Sequence, residues 1–494
     1  MRFVKRAESE YNSPRDRRDC VSMEPGLMLT VFSGGKVNDR RRMSRRSFLQ
    51  VGTCTVGGLS LSDVLTLEAA QAVETPFVKD LSVVFLYFSG GASHIETFDP
   101  MMDAAPEIRS QTGEVATTIP GVSFGGTFPR LARHAQEMSV VRSFHHRNTD
   151  HVKAHVEVLT GGMDPTGQRK TGFSMGSLYA RLAGTNSPRT GLPVYSLLTT
   201  PEIDPQYRQE LTRVRRGSWA GALGSPYSPF EPGSKSAIVD NMTLNLPQDR
   251  FADRRRLLSS LDSWKRRHDQ IASVGGSSKF NDQAVDLLLG SASTALDISL
   301  ENPALVRRYD TSHIPVGFKK FKPSPLGKQM LMARRLCEAG CRFVTVHSPG
   351  WDMHADKNNP GMVTGMEMLG RTADQAVSTF LEDVADRGLS RKILLILSGD
   401  FGRTPRVNKN GGRDHWARLS TLAFAGGDLR MGEVVGKAAR NGGEPQSFPV
   451  SLSQFRATVT QSLIDVGQFR VNSSVPRELA ALVENQVPIT QLMP

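Results

Sequence analysis

Six short apolar runs constrain the fold of this chain more than any other feature. Each run spans four to eight residues and is apolar on both faces, which is typical of strands buried inside a parallel sheet. Amphipathic helical segments lie between the runs, notably at Lys328–Ala339 and Glu367–Arg387. This alternation predicts an α/β fold with a doubly wound, mostly parallel sheet and helices on both faces. The runs are Leu81–Phe88, Met138–Val141, Val194–Leu198, Phe343–Val346, Ile393–Leu397 and Leu419–Ala425.

The middle of the chain, residues 200–325, is less regular than its flanks. It contains a Pro- and Gly-rich loop at Gly224–Pro229 and a charged segment at Arg250–His268 that predicts a helix. We therefore expect 200–325 to be an irregular, helical insertion or cap within one large domain, residues 73–494.

The N-terminal segment has the three parts of a twin-arginine export signal, in the right order. Ser44–Gln50 carries the paired arginines, Val51–Leu61 is mildly apolar, and Ala70–Ala72 offers a small-residue cleavage site. The alternative is a chance basic run before a short apolar helix. We expect residues 1–72 to be a signal region with a polar extension, recognised by the twin-arginine translocase, and the mature protein to be periplasmic or extracellular.

Charge and hydropathy exclude two classes of protein. No uninterrupted apolar stretch reaches the roughly 20 residues of a membrane-spanning helix, so we expect no stable membrane span. The net charge is +12, yet no zinc-finger, homeodomain or RNP-like pattern predicts nucleic-acid binding. A basic surface can favour an anionic small molecule or polymer, although a solvated surface rich in arginine is the simpler interpretation.

Polar residues that suit metal chemistry follow the predicted strands. Carboxyl ends of parallel strands meet at one edge of the sheet, where ligands bind in open α/β folds. Imidazoles and carboxylates converging there predict one or two divalent ions, with Zn²⁺ and Mn²⁺ as candidates. The alternatives are structural histidines, and an Arg403 that pairs with a buried carboxylate. Of the eleven histidines, eight lie in or beside these loops: His94, His145, His146, His151, His155, His347, His354 and His415.

Five segments of the chain resemble a known family. They are SGGASHIETFDP, NTDHVKAHVEVLTG, GWDMH, DFGRTPRVNKNGGRDHW and AGGDLRMGEVVG. Together they are similar to the twin-arginine-exported family called domain of unknown function 1501, over about residue 75 to the C-terminus. That family has no firmly assigned reaction, but it resembles the alkaline phosphatase–sulfatase superfamily at the level of fold. The resemblance implies an alkaline-phosphatase-like domain.

The superfamily resemblance implies metal ligands residue by residue. Asp352 and His354 resemble the Asp/His pair on one metal, and His415 resembles the later histidine of that metal. Asp400 stands where the superfamily has Asp-His, but Phe401 replaces the histidine. After the first strand the superfamily has an aspartate ligand, for which His94 or Asp99 is the candidate replacement here. The expected metal ligands are His94, Asp352, His354, Asp400, Asp414 and His415.

The nucleophile is the least defined part of the resemblance. Counting back from the Thr-Gly that ends the corresponding sulfatase helix places it near Thr149–His151, and there is no formylglycine motif. A threonine at a helix N-terminus is favoured by the helix dipole. The same slot can instead supply a metal ligand, Asp150 or His151. The expected catalytic residues are Thr149, Asp150, His151 and, to neutralise the anionic group, Arg403.

The sequence thus predicts an exported metal-dependent hydrolase of phosphate or sulfate esters. The alternative is a non-catalytic envelope protein of the same fold that binds an anionic polymer or a partner. The missing standard nucleophile and the Phe401 replacement favour this alternative.

Overall fold

The computed structural model describes most of the chain from residue 77 onward. Described residues are 77–199, 207–232, 250, 292–318, 322–472, 477–484 and 486–494, and they belong to one compact unit that begins at Val73. The predicted twin-arginine signal in 1–72 lies outside them, as does the predicted helix at Arg250–His268 except for its first residue.

A seven-stranded sheet forms the centre of the domain, in the order β11-β4-β10-β7-β1-β6-β5. The strands are β1 (Ser82–Phe88), β2 (Glu114–Ala116), β3 (Ser123–Gly125), β4 (Met138–Val141), β5 (Tyr195–Leu198), β6 (Phe343–Ser348), β7 (Ile393–Gly399), β8 (Gly402–Arg403), β9 (His415–Trp416), β10 (Leu422–Gly426), β11 (Val434–Val435), β12 (Lys437–Ala438) and β13 (Pro445–Ser447). The pairs β2/β3, β8/β9 and β12/β13 form small two-stranded ribbons outside the main sheet.

Helices connect and cover these strands. The α-helices are α1 (His94–Thr97), α2 (His151–Leu159), α3 (Met175–Ala183), α4 (Arg208–Gly217), α5 (Ala292–Leu296), α6 (Pro303–Arg308), α7 (Leu326–Glu338), α8 (Met362–Gly365), α9 (Arg371–Asp386), α10 (Leu452–Leu463), α11 (Val466–Val471) and α12 (Arg477–Glu484). A π-helical turn, Met366–Gly370, joins α8 to α9, and 3₁₀ turns occur at Leu131–Glu137, Gly221–Leu223, Ser225–Tyr227, Ile298–Leu300 and Thr490–Leu492.

The central strand β1 shows why both faces of the sheet are apolar. Its alternate side chains enter two separate cores, with Val84, Leu86 and Phe88 on one face and Val83 and Phe85 on the other. Helices α7 and α9 cover the first core, and α2, α3 and α10 cover the second. Since each strand residue is buried on its own face, no polar alternation appears in the sequence. The predicted α/β class with helices on both faces is confirmed.

The last predicted strand differs from the expectation. We expected Leu419–Ala425 to be a parallel strand like the others, but β10 begins at Leu422 and runs antiparallel to both β7 and β4. Parallel neighbours need a crossover, usually a helix, to return the chain to the other end of the sheet. Residues 400–421 contain only the ribbon β8/β9, so the chain re-enters the sheet from the edge at which β7 ends.

This topology gathers the chemistry-bearing loops at one edge. Strands β1, β6 and β7 are parallel neighbours, and their carboxyl ends meet there. Strand β4 runs the same way, so the turn before α2 reaches this edge too. Across the described residues, no helix has the length and apolar character that crossing a membrane requires.

Candidate metal centre

Helix α2 brings two histidines to the edge of the sheet. Asp150 has an extended backbone, and its side chain accepts a hydrogen bond from the amide of Lys153 at 3.0 Å, so it caps the helix. Helix α2 therefore starts at His151, and His155 follows one turn later on the same face. The carboxylate of Asp150 caps the helix. It makes no contact that supports its predicted role as a proton carrier or metal ligand.

The close approach of two loops depends on a glycine. Gly90, directly after β1, has φ +106°, and a Cβ there would lie 2.5 Å from the amide nitrogen of Asp352. Only glycine fits that spacing and that backbone conformation without strain. Gly90 therefore lets the end of β1 lie directly against the loop that carries Asp352 and His354.

Asp352 is the hub of the site. Its Oδ1 lies 2.8 Å from His354 Nε2 and 3.4 Å from His415 Nε2, and its Oδ2 lies 3.4 Å from His151 Nε2. The two Nε2 atoms of His354 and His415 are only 2.8 Å apart. We call these four side chains, Asp352, His151, His354 and His415, the inner ring.

Each histidine of the inner ring is oriented by an oxygen at its other nitrogen. His151 Nδ1 lies 2.5 Å from Asp400 Oδ2, His354 Nδ1 lies 3.1 Å from Asp414 Oδ1, and His415 Nδ1 lies 2.8 Å from the carbonyl of Thr149. A carbonyl or carboxylate oxygen can only accept, so Nδ1 is the donor in every case. In a neutral ring Nε2 then carries the lone pair.

Lone pairs therefore converge on the centre of the inner ring. Two imidazole nitrogens and a carboxylate oxygen lie 2.8–3.4 Å from one another, and neutral His151 adds a fourth acceptor. Such a set repels itself without a cation. Ligands bound about 2.0–2.2 Å from a Zn²⁺ ion lie roughly 3–3.5 Å from each other, so the spacing fits a divalent ion. The oxygen behind each imidazole is the second shell that metal-binding histidines require.

Electrostatics in the ion-free site favour a cationic His151. Burial lowers the pKa of His151, but the carboxylates of Asp400 and Asp352 outweigh burial and raise it to about 9. Burial alone would raise the pKa of Asp352, but the charge of Arg403 and the contacts with the three imidazoles hold it far below its usual range. A proton on His151 thus supplies part of the positive charge that a metal ion would bring. A binding ion must displace this proton.

Arg403 has no free donor for a substrate. Its side chain is fully buried, and its guanidinium donates to the carbonyls of Gly90, Gly91, Trp351 and Arg413 and, at 2.6 Å, to Asp352 Oδ1. Its Nη1 also lies 3.4 Å from His354 Nε2. The structure does not place Arg403 where it could neutralise a substrate anion. It supports the alternative that Arg403 pairs with a carboxylate, because Nε, Nη1 and Nη2 all face protein acceptors on three loops.

The remaining predicted residues lie behind or away from the inner ring. Asp400 and Asp414 contact histidines and orient them, and Thr149 contributes its carbonyl to His415. His94 is not brought to the ring: its Nε2 lies 3.1 Å from the carbonyl of Gly442, and burial lowers its pKa to about 4.

Two residues next to the ring were not among the expected catalytic residues or metal ligands, although one of them, His155, was among the eight strand-end histidines. Ser89 and His155 lie beneath the inner ring, both fully buried, and the Ser89 hydroxyl is 2.8 Å from His155 Nε2. The four-residue spacing of His155 from His151 was the available signal. Arg413 was also missed, and it forms a fully buried ion pair with Glu96 at 2.9 Å that anchors the loop before His415.

The ring is open to solvent on one side. The side chains of Asp352, His354 and His415 are 19%, 21% and 27% exposed, whereas Asp400 and His155 are fully buried. An ion held here would therefore face solvent on the side of His354 and His415 and protein on the side of His151.

Comparison with known proteins identifies a family but no reaction. A family model described as a protein of unknown function, DUF1501, matches residues 80–470. No curated protein matches the sequence.

Solved structures similar to this chain include three proteins of low sequence identity. A sulfatase from Pseudoalteromonas sp. is 12% identical, with a TM-score of 0.32, 81% of this chain covered and 70% of that chain. A phosphonate monoester hydrolase from Silicibacter pomeroyi is 12% identical, with a TM-score of 0.31 and coverages of 78% and 74%. The lipoteichoic acid synthase LtaP from Listeria monocytogenes is 9% identical, with a TM-score of 0.32 and coverages of 83% and 76%. Similarity at this level carries no inference about chemistry.

Proposed function

This chain belongs to the DUF1501 family, and from the chemistry of its inner ring we propose that it is an exported hydrolase of phosphate or sulfate esters that depends on a divalent metal ion. One observation carries the proposal. Three imidazole Nε2 atoms and one carboxylate face a common centre, and an oxygen fixes the Nδ1–H of each imidazole.

The proposed ligands are Asp352, His151, His354 and His415. Asp400 and Asp414, expected from the sequence to be ligands, instead orient His151 and His354 in this proposal. Imidazole and carboxylate donors together suit Zn²⁺, Mn²⁺ or iron. When bound, such an ion supplies Lewis acidity that polarises an ester oxygen and makes water more acidic.

The protein's own residues then bind and position the ester. An anionic group reaches the ring from the exposed side, past His354 and His415, and the excess of Lys and Arg over Asp and Glu in residues 73–494 favours its approach. Thr149 contacts the ring through its carbonyl, so we propose water, rather than the Thr149 hydroxyl, as the attacking group. The buried Arg403 holds Asp352 in place and excludes water from the inner side of the ring.

Export through the twin-arginine pathway is part of this proposal. The signal at Ser44–Gln50 supports it, and that pathway carries proteins already folded, so a metal ion can be bound before translocation. The proposed location of the mature protein is the periplasm or the cell exterior.

A panel of chromogenic phosphate monoesters, phosphate diesters and sulfate esters, assayed with added Zn²⁺ or Mn²⁺, tests the function. The protein should be purified after its own export and processing. We expect turnover that a chelator abolishes and that His354→Ala removes. His94→Gln is the matched control, because His94 is also a strand-end histidine but contacts Gly442 rather than the ring. Equal turnover by His354→Ala and the wild type would refute the assignment.

A second candidate is a protein that binds an anionic polymer and does not cleave it. The contacts of Arg403 with protein acceptors favour this candidate, because this guanidinium is not directed at a transition-state charge. A stably bound ion without turnover on any ester of the panel would place this candidate first.

A further inference from the structure

Ser89 and His155 form a hydrogen-bonded pair whose proton positions can be assigned. His155 Nδ1 lies 2.6 Å from the carbonyl of His151, so Nδ1 carries the proton. His155 Nε2 then accepts, and the Ser89 hydroxyl donates to it at 2.8 Å.

The pair adjoins the carboxylate that orients His151. His155 Nδ1 lies 3.5 Å from Asp400 Oδ2, the same oxygen that contacts His151 Nδ1 at 2.5 Å. The other oxygen, Asp400 Oδ1, accepts from the amide of Gly90 at 3.0 Å. Ser89 and Gly90 are consecutive, so the end of β1 holds both the ring of His155 and the carboxylate of Asp400.

Two roles are open to His155 on distance alone. His151, His155 and Asp400 offer ligand atoms within 4.8 Å of one another, which is close enough for a second metal ion. A ligand must present a lone pair to the ion, however. Nδ1 of His155 points its proton at a carbonyl, and its Nε2 is taken by Ser89. The ring of Phe401 also packs 4.7 Å from that of His151 and 4.5 Å from that of His415, giving this region an apolar wall.

We propose that the centre takes one ion, not two, and that Ser89 and His155 are positioning residues that hold Asp400 and the first turn of α2, and thereby the ring of His151. This inference rests on the proposed function, since it assumes an ion in the inner ring. Partners in the second shell of a metal site typically change metal affinity by about 10- to 100-fold when they are removed.

Metal content and affinity of the full chain test the inference directly. We expect one Zn²⁺ per wild-type chain after loading and desalting. His155→Leu should still bind one ion, with affinity lowered by about 10- to 100-fold. His155→Asn keeps an N–H near the carbonyl of His151 and should lose less affinity. Two ions in the wild type, falling to one in both variants, would overturn the positioning role while leaving the proposed function intact. No ion in the wild type would overturn both.

Ser89→Ala provides a milder variant if His155→Leu does not fold. Its matched control is Ser420→Ala, because Ser420 is equally buried but has no contact with His155. Lower Zn²⁺ affinity in Ser89→Ala, but not in Ser420→Ala, is the expected result. Equal affinities in the two variants would contradict the positioning role of Ser89.

Ring ¹⁵N shifts of the ion-free protein give a readout that needs neither metal nor substrate. At neutral pH we expect His155 as the neutral Nδ1–H tautomer. An Nε2–H tautomer, or a cationic ring, would contradict the hydrogen bonds on which the inference depends.

Discussion

Two buried clusters in this molecule are built around an arginine, and they differ in their balance of donors and acceptors. Arg334, on α7, pairs with Asp383 of α9 and with Glu301, each at 2.9 Å, and with Glu338 at 2.5 Å. Two more arginines, Arg335 and Arg387, contact the same carboxylates. Three cations thus meet three anions.

The cluster around Arg403 is not balanced in this way. One guanidinium faces Asp352 together with three imidazoles whose Nε2 atoms point inward. The Arg334 cluster is complete without any ligand, whereas the inner ring has more acceptors than donors. Burial of charge alone therefore does not mark a functional site, whereas an excess of hydrogen-bond acceptors over donors does.

The largest expected effect separates the two clusters by metal binding. Asp352→Ala should lower Zn²⁺ affinity by more than about 100-fold, because it removes the oxygen at the centre of the ring. Asp383→Asn, in the balanced cluster, should leave that affinity unchanged. Competition with a chromogenic chelator measures both. Similar losses of Zn²⁺ affinity in the two variants would show that metal binding does not distinguish the inner ring from the Arg334 cluster.

For the free energy of unfolding, we expect the larger effect in the Arg334 cluster and the smaller effect in the inner ring. Asp383→Asn breaks a buried ion-pair network and should lower the free energy of unfolding by about 3–5 kcal/mol. His415→Ala, measured with a chelator present, should change it by less than about 1 kcal/mol, since it removes a surplus acceptor from a partly exposed position. Urea unfolding with and without chelator checks this. A large loss in ion-free His415→Ala would show that the ring is already satisfied without metal.

The pH dependence of the ion-free protein sharpens the comparison. The pKa of His151 is raised to about 9 in the folded protein, above its ordinary value near 6.5. A raised pKa gives stability that is fully present below about pH 6.5 and is lost as pH rises through about 9, here up to about 3 kcal/mol. His151→Gln should flatten this loss. Persistence of the full loss in that variant would assign it to another group.

The smallest effect is expected at an exposed ion pair. Arg371 and Glu367 form a pair one helical turn apart, each about half exposed. Glu367→Gln should change the free energy of unfolding by less than about 0.5 kcal/mol and leave Zn²⁺ affinity unchanged. A larger effect would imply that the changes expected at Asp383 are not specific to burial.

The sequence was sufficient for most of the sheet but not for its orientation throughout. Residues such as Val83 and Val84 are buried on opposite faces, and an unbroken apolar run reports this directly. The sequence of β10 itself does not indicate that the strand is antiparallel. It follows from the preceding segment, which lacks a crossover helix.

The site shows the same division. Asp352, His354 and His415 were recognisable as a set through family resemblance, and the structure brings them together. The roles of Asp400 and Thr149 were not predictable, because they depend on hydrogen bonds between residues more than two hundred positions apart, His151 to Asp400 and His415 to Thr149. Spacing along the chain carries no information about which ring nitrogen meets which oxygen.

The antiparallel strand β10 has a consequence for how this centre can diversify. Because β7 and β10 are adjacent and antiparallel, residues 400–421 leave the sheet and return to it at neighbouring positions of one edge. This segment carries Asp400, Arg403 and His415. Such a segment is a cassette: its length and composition can change while the sheet keeps its strand order and both cores. Specificity can therefore change through substitutions and insertions in residues 400–421 while the central sheet stays the same.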